Sequence, residues 1–461
     1  MKNTDHAKQL GEEKTYKLLF KFSMPAIVGM LVNALYNVVD RIFIGNGVGS
    51  LGIAGITVSF PFMIILMAFG MLVGIGSTSL ISIKLGEGKR AEAEAVLGNG
   101  MVLLIGISLC LSALGLLFLD PVMHLLGASA SVLPYAKEYM SIILWGAVFQ
   151  AVGFGMNNFI RAEGNPRIAM LTMLIGAVLN TILDPLFIFV FGWGIRGAAL
   201  ATILSQAVSA AWVLQYFLGG RSLLKIRRKN LQLKVATVGK ILAIGSAPFA
   251  MQLAASVVTT ILNNSLSIYG GDLAISAMGI VNSIAMLILM PIFGINQGAQ
   301  PIIGYNYGAQ KFDRVKHTVI LAMAVATCIV CMGFILVMLI PQQLIAFFNR
   351  EDQELIRLGA HALQVFLILL PIIGFQIVGA NYFQAVGKPK HAMFLSLSRQ
   401  VIVLIPAVLV LPRFFQFDGI LMAGPVSDLV SSILTGIFVY KELNSLDKKQ
   451  RQRYELQMQA E

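Results

Sequence analysis

Long apolar runs separated by short polar connections recur from one end of the chain to the other. Runs of roughly 20 residues or more cover approximately 18–44, 51–83, 95–119, 133–160, 167–191, 196–218, 237–267, 273–304, 317–341, 356–386, 391–411 and 419–441. A helix of that length crosses a hydrocarbon core of about 30 Å while satisfying its own backbone hydrogen bonds. The pattern therefore predicts an all-α integral membrane protein with twelve transmembrane helices. Composition agrees: 57% of residues are hydrophobic and only 12% charged, against about 25% charged in a soluble chain.

Charge sets the expected orientation. Lys and Arg crowd into the two terminal segments and the loops after runs 2, 4, 6, 8 and 10, whereas the opposite loops hold only Arg41, Lys137, Arg196, Arg350, Arg357 and Arg413. That asymmetry predicts a multi-pass protein of the cell membrane with both termini cytoplasmic. The net charge of +12 is thus a topology signal rather than a nucleic-acid footprint. The polar start of the chain leads into the first run without a small-residue cleavage site, so it reads as no removable leader. Cys110, Cys328 and Cys331 fall inside runs without metal or disulfide spacing and read as packing residues.

The chain is written twice. NFIRAEGNPRIAM at Asn158–Met170 recurs as NYFQAVGKPKHAM at Asn381–Met393, and ISIKLGEGK at Ile81–Lys89 as IGYNYGAQK at Ile303–Lys311. Six helices per copy is an even number. Both copies then enter the membrane in the same sense, predicting two parallel six-helix lobes related by a pseudo-two-fold axis along the membrane normal. The expected domains are residues 1–220, a basic cytoplasmic linker at 221–236, and 237–461.

Polar residues inside the runs are rare enough to name. Asn33, Tyr36, Asn37 and Asp40 share one face of the first helix, and Asn180 and Asp184 are i, i+4 on the fifth, with Pro185 next. A carboxylate in hydrocarbon costs roughly 2.5–3.5 kcal/mol on insertion scales and usually marks an ion or substrate path. Rise per residue puts Asp40, Tyr36, Asp184, Asn180, Tyr139 and Thr202 at one depth, where one pocket accommodates them all. Two readings stand: a functional carboxylate pair that exchanges protons or binds a cation, or a structural hydrogen-bonded cluster. Asp428 and Arg399 fall at a common depth in helices 12 and 11 and read as a structural pair, with a second coupling site as the alternative. No GxxxxGK[ST] loop and no metal-ligand histidine spacing occurs; no enzyme chemistry and no cofactor is expected.

The stretches ALYNVVDRIFIG (Ala34–Gly45), RAEGNPRIAMLTMLIGAVLNTILDPLFIF (Arg161–Phe189) and GINQGAQPIIGYNYGA (Gly294–Ala309) resemble the multidrug and toxic compound extrusion (MATE) transporters, nearest the DinF-like and MepA-like members. The resemblance implies an antiporter that expels cationic, aromatic, amphipathic compounds, driven by H+ or Na+; since one chain supplies both lobes, a monomer in the bilayer is expected. It implies an ion site at Asp40, Asn180, Asp184 and Thr202, with Na+ there if Na+ is the coupling ion. It implies pocket positions at Tyr36, Tyr139 and Asn157 and links Pro25 to bending of helix 1; with the polar face of the first helix, the expected substrate contacts are Asp40, Asn33, Tyr36, Asn37, Tyr139 and Asn157. The rival readings are a lipid-linked saccharide flippase of related fold and a passive channel.

Overall fold

A computed structural model describes residues 5–348 and 352–460. All regular structure among them is helical. Eleven helices are long and apolar enough to cross a membrane, and a bent pair brings the number to 12. In chain order the spans are 1 (Thr15–Val48), 2 (Leu51–Gly86), 3 (Arg90–Leu117), 4 (Leu133–Ala162), 5 (Pro166–Val190), 6 (Gly194–Leu218), 7 (Val235–Gly271), 8 (Leu273–Gly308), 9 (Phe312–Leu339), 10 (Gln353–Phe366 with Leu370–Ala385), 11 (Pro389–Val410) and 12 (Pro412–Arg453). They fall on the predicted apolar runs. Span 10 is bent by 50°, because Pro371, in the first turn of its second half, brings no backbone donor to a continuous ladder.

The chain forms two compact units. Unit 1 holds residues up to Glu13 and Met24–Phe249; unit 2 holds Lys14–Ser23 and Ala250–Glu461. The breaks fall beside Pro25 and Pro248, each removing a backbone donor from its span. Within unit 1 the first part of span 7 crosses span 2 with almost no side chain between them. A Cβ on Gly245 would stand 1.7 Å from the Leu72 carbonyl oxygen, and one on Gly76 would stand 2.2 Å from that of Ile241. In unit 2, Gly298 of span 8 faces Ser23 of span 1 in the same way, its Cβ position 2.7 Å from the Ser23 nitrogen. Small residues let backbones approach where lipid offers no hydrophobic drive for association. The duplicated loop glycines Gly164 (φ 99°) and Gly387 (φ 73°) both adopt left-handed conformations, with Pro166 and Pro389 opening the next helix.

The segment after span 6 is tied to unit 1 by three buried polar side chains. Glu163 Oε2 accepts from Ser222 Oγ (2.8 Å) and Leu224 N (3.1 Å). Asn99 donates to the Asn230 and Gln232 carbonyls (3.0 and 3.1 Å) and accepts from Lys234 N (2.8 Å). Glu94 pairs with Arg227 at 2.9 Å and Arg90 at 3.4 Å. Burial pushes the Glu163 carboxyl up to about 7, against the lowering effect of Tyr216, Ser222 and the Leu224 amide.

Two expectations follow from this packing. Gly245→Ala should cost about 1–3 kcal/mol through forced separation of spans 2 and 7, seen as a lower thermal midpoint, while Gly279→Ala, which meets open space, should leave it unchanged. Glu163 has a folded pKa above its ordinary value, so it favours the fold in its neutral form. Its contribution is complete below the ordinary carboxyl range, about 4.5, and is lost as pH rises through about 7. The wild-type thermal midpoint should therefore fall across that window more steeply than that of Glu163→Gln; identical slopes would remove Glu163 from this role.

Candidate functional site

Four spans of unit 1 bring polar groups to one place. Span 1 contributes Tyr36 and Asp40, span 5 Asn180 and Asp184, span 4 Tyr139, and span 6 Thr202. The i, i+4 spacing on spans 1 and 5 aims each pair the same way. Asp184 is 0% exposed and Asp40 9%. Directly after Pro185, span 5 widens into a π turn over Leu186–Val190, with Phe191 N donating to Leu186 O at 3.0 Å. This is the loosening that a proline beside the acid predicts.

Asn180 sets the geometry. With its amide nitrogen toward the acid it donates to Asp184 Oδ2 at 2.8 Å, while its oxygen accepts from Thr202 N at 3.2 Å, so both ends are satisfied. Thr202 Oγ1 donates to the Ala198 carbonyl at 3.0 Å and lies near both Tyr36 and Tyr139. The Asp40 and Asp184 carboxyl groups lie close enough to interact electrostatically. Among the described residues no Lys or Arg pairs with Asp184. Beyond the acids, buried Ile44, Ile188 and Ala198 form an apolar plug. A cavity of about 220 Å³ runs between spans 1 and 5, lined by Tyr36 and otherwise mainly by apolar side chains such as Leu35, Val39, Val178 and Ile182.

Asn33 is exposed, and the Asn37 side chain lies outside the described residues. Asn157 is buried but stands about 27 Å along span 4 from Tyr139 at 1.5 Å per residue. Its Oδ1 has no hydrogen-bond partner among the described residues. In unit 2, Arg399 Nε meets Asp428 Oδ1 at 2.6 Å, where a π segment over Ser398–Leu404 precedes Pro406 and turns Arg399 toward span 12. A larger hollow of about 450 Å³ in unit 2, lined by Gln342, Gln343, Arg357 and His361, contains neither acid of the cluster. The residues that sequence reasoning missed here are apolar: Ile188, Ala198 and Gly197, whose Cβ position is 2.8 Å from the Phe187 carbonyl. They show no polar signal along the chain.

An internally duplicated helical membrane protein with an acidic cluster buried in one copy belongs to the class of membrane transporters. The MatE family model matches the chain twice, over residues 25–186 and 248–409, beginning on Pro25 and Pro248. The chain belongs to the MatE family. Multidrug export protein MepA of Staphylococcus haemolyticus (strain JCSC1435) is 29% identical over 438 residues, covering 94% of this chain and 95% of MepA. MepA of Staphylococcus aureus (strain MSSA476) is 28% identical over 427 residues, covering 92% and 93%. The MATE multidrug transporter DinF-BH, solved in complex with a ligand, is similar at TM-score 0.87 and 42% identity, covering 95% of this chain and 98% of that one. An outward-facing multidrug resistance MATE family transporter of the MOP superfamily reaches TM-score 0.91 at 24% identity, covering 97% and 99%, and shows the shared fold.

Removing one partner of a buried ion pair costs about 3–5 kcal/mol because the other charge is stranded. Asp428→Asn and Arg399→Gln should each lower the yield of monodisperse protein extracted from membranes. The exchange Arg399→Asp with Asp428→Arg should recover it, as judged by gel filtration; a double variant no better than the singles would show that the contact is not a structural pair.

Proposed function

We propose that the chain is a cation-coupled multidrug efflux antiporter that exports cationic, aromatic, amphipathic compounds by alternating access. The observation that carries this reading is the pair of neighbouring carboxyl groups, Asp40 and Asp184, buried together in unit 1. Two carboxylates in a poorly hydrated place resist carrying two negative charges. A proton or a small cation relieves the repulsion, and so does an organic cation. Drug and coupling ion then compete for one negative charge, and that competition is the coupling. The names of the relatives, multidrug export protein MepA and the MATE multidrug transporter DinF-BH, support the export of drugs.

In this reading Asp40 is shared between ion and drug. Asp184 is anchored by Asn180 and Thr202, and Tyr36 and Tyr139 offer ring faces to an aromatic cation. The candidate ion ligands are Asp40, Asn180, Asp184 and Thr202, an oxygen-rich set that suits H+ or Na+, with H+ favoured. The charge bias of the loops puts both termini in the cytoplasm. One chain supplies both copies of the repeat, so a monomer suffices. The acidic cluster argues against a flippase for phosphate-linked saccharides, whose cargo is anionic.

In proteoliposomes, an imposed pH or Na+ gradient should drive uphill movement of a cationic dye through the wild type, which a passive channel cannot do. Dye affinity should change roughly 5–150-fold between the ion-loaded and ion-free states, the range of ordinary coupling energies. Asp184→Asn should abolish most of that change, and Asp40→Asn should weaken dye binding as well. Wild-type efflux by Asp40→Asn would overturn the coupling assignment.

A further inference from the structure

The segment between spans 6 and 7, Gly219–Lys234, is pinned on one side and charged on the other. Its Ser222, Leu223, Leu224 and Asn230 are buried, held by Glu163, Glu94 and Asn99 as described above. Arg221, Lys225, Arg228, Lys229 and Lys234 are all exposed. Among the described residues none of the five has a carboxylate within ion-pair distance; only Arg227 is taken up, by Glu94. Apolar side chains flank these cations: Leu218 is 68% exposed, Leu233 51% and Val235 89%. Leu218 closes span 6 and Val235 opens span 7.

We propose that this linker is a binding surface for anionic phospholipid headgroups of the leaflet it faces, the cytoplasmic one by the charge bias of the loops. Lys225, Arg228, Lys229 and Lys234 would sit in the phosphate layer, and Leu218, Leu233 and Val235 at the acyl boundary, the arrangement of an interfacial segment. Anchoring matters to the energetics. A free basic loop loses conformational freedom when it meets a lipid, whereas a linker already fixed by Glu163, Glu94 and Asn99 has less to lose. An acidic protein would answer the cations but not the apolar residues, which adjoin the lipid through the spans they terminate.

The test places a reporter at the linker itself. Leu233→Trp is introduced into the full chain, which is reconstituted in phosphatidylcholine with a brominated fraction of either phosphatidylcholine or phosphatidylglycerol, and the added fluorescence is read against the parent. Brominated phosphatidylglycerol should quench the reporter more strongly. Neutralising one cation should reduce that preference roughly fivefold, and Lys225→Gln with Arg228→Gln and Lys229→Gln should bring it to the level of phosphatidylcholine. The charge-conserving set Lys225→Arg, Arg228→Lys and Lys229→Arg should retain the preference, separating loss of charge from loss of fold. Lys448→Gln with Lys449→Gln and Arg451→Gln, on the C-terminal extension of span 12, should leave it unchanged. Equal quenching by the two lipids in the wild type overturns the proposal. An equal fall with the C-terminal substitutions also overturns it, as does displacement of the quencher by a soluble acidic peptide at physiological salt.

Discussion

A charge inside hydrocarbon must be answered by another group, and the intramembrane acids of this protein are answered in different ways. Asp428 has Arg399 at 2.6 Å. Glu442, just past the last apolar run and facing the connection between spans 10 and 11, has Lys388 at 2.6 Å and the Tyr382 hydroxyl at 3.3 Å. Asp184 has an amide and a second acid. The first two arrangements are electrically closed within the protein. The last one shows no Lys or Arg paired with Asp184 among the described residues, and on our reading an ion or a drug completes it.

Backbone irregularity appears where these groups must be aimed. Span 5 widens into a π turn just past Asp184, and span 11 does so around Arg399. Prolines lie beside both. A regular helix fixes side-chain directions in steps of about 100°; one widened turn changes the heading of everything on one side of it. The fold therefore adjusts the acidic cluster and the ion pair without altering the length of either span.

Much of this was legible in the chain, for reasons that differ between features. The bilayer dictates span length, so apolar runs translate directly into helices. Polar residues within those runs are few, and depth alone gathers Asp40, Asp184, Asn180, Thr202, Tyr36 and Tyr139. What stayed hidden depends on contacts between elements. Nothing local marks Gly245 as a point where two backbones cross, nor does it distinguish the proline that bends span 10 from the one that widens span 5. Glu94, Asn99 and Glu163 lie in or beside short connections where any polar residue looks solvated, and only the folded linker shows that they are buried anchors. Asn157 was drawn in by resemblance, and helix geometry sets it far along span 4 from Tyr139.

The division of the units at Pro25 and Pro248 has a consequence for how the chain holds together. The opening segment of span 1 packs with unit 2, and the opening segment of span 7 packs with unit 1, each against a glycine of the second span there. The exchange is a segment swap within one polypeptide: neither half of the chain contains all the pieces of its own unit, so each unit depends on a segment supplied by the other half.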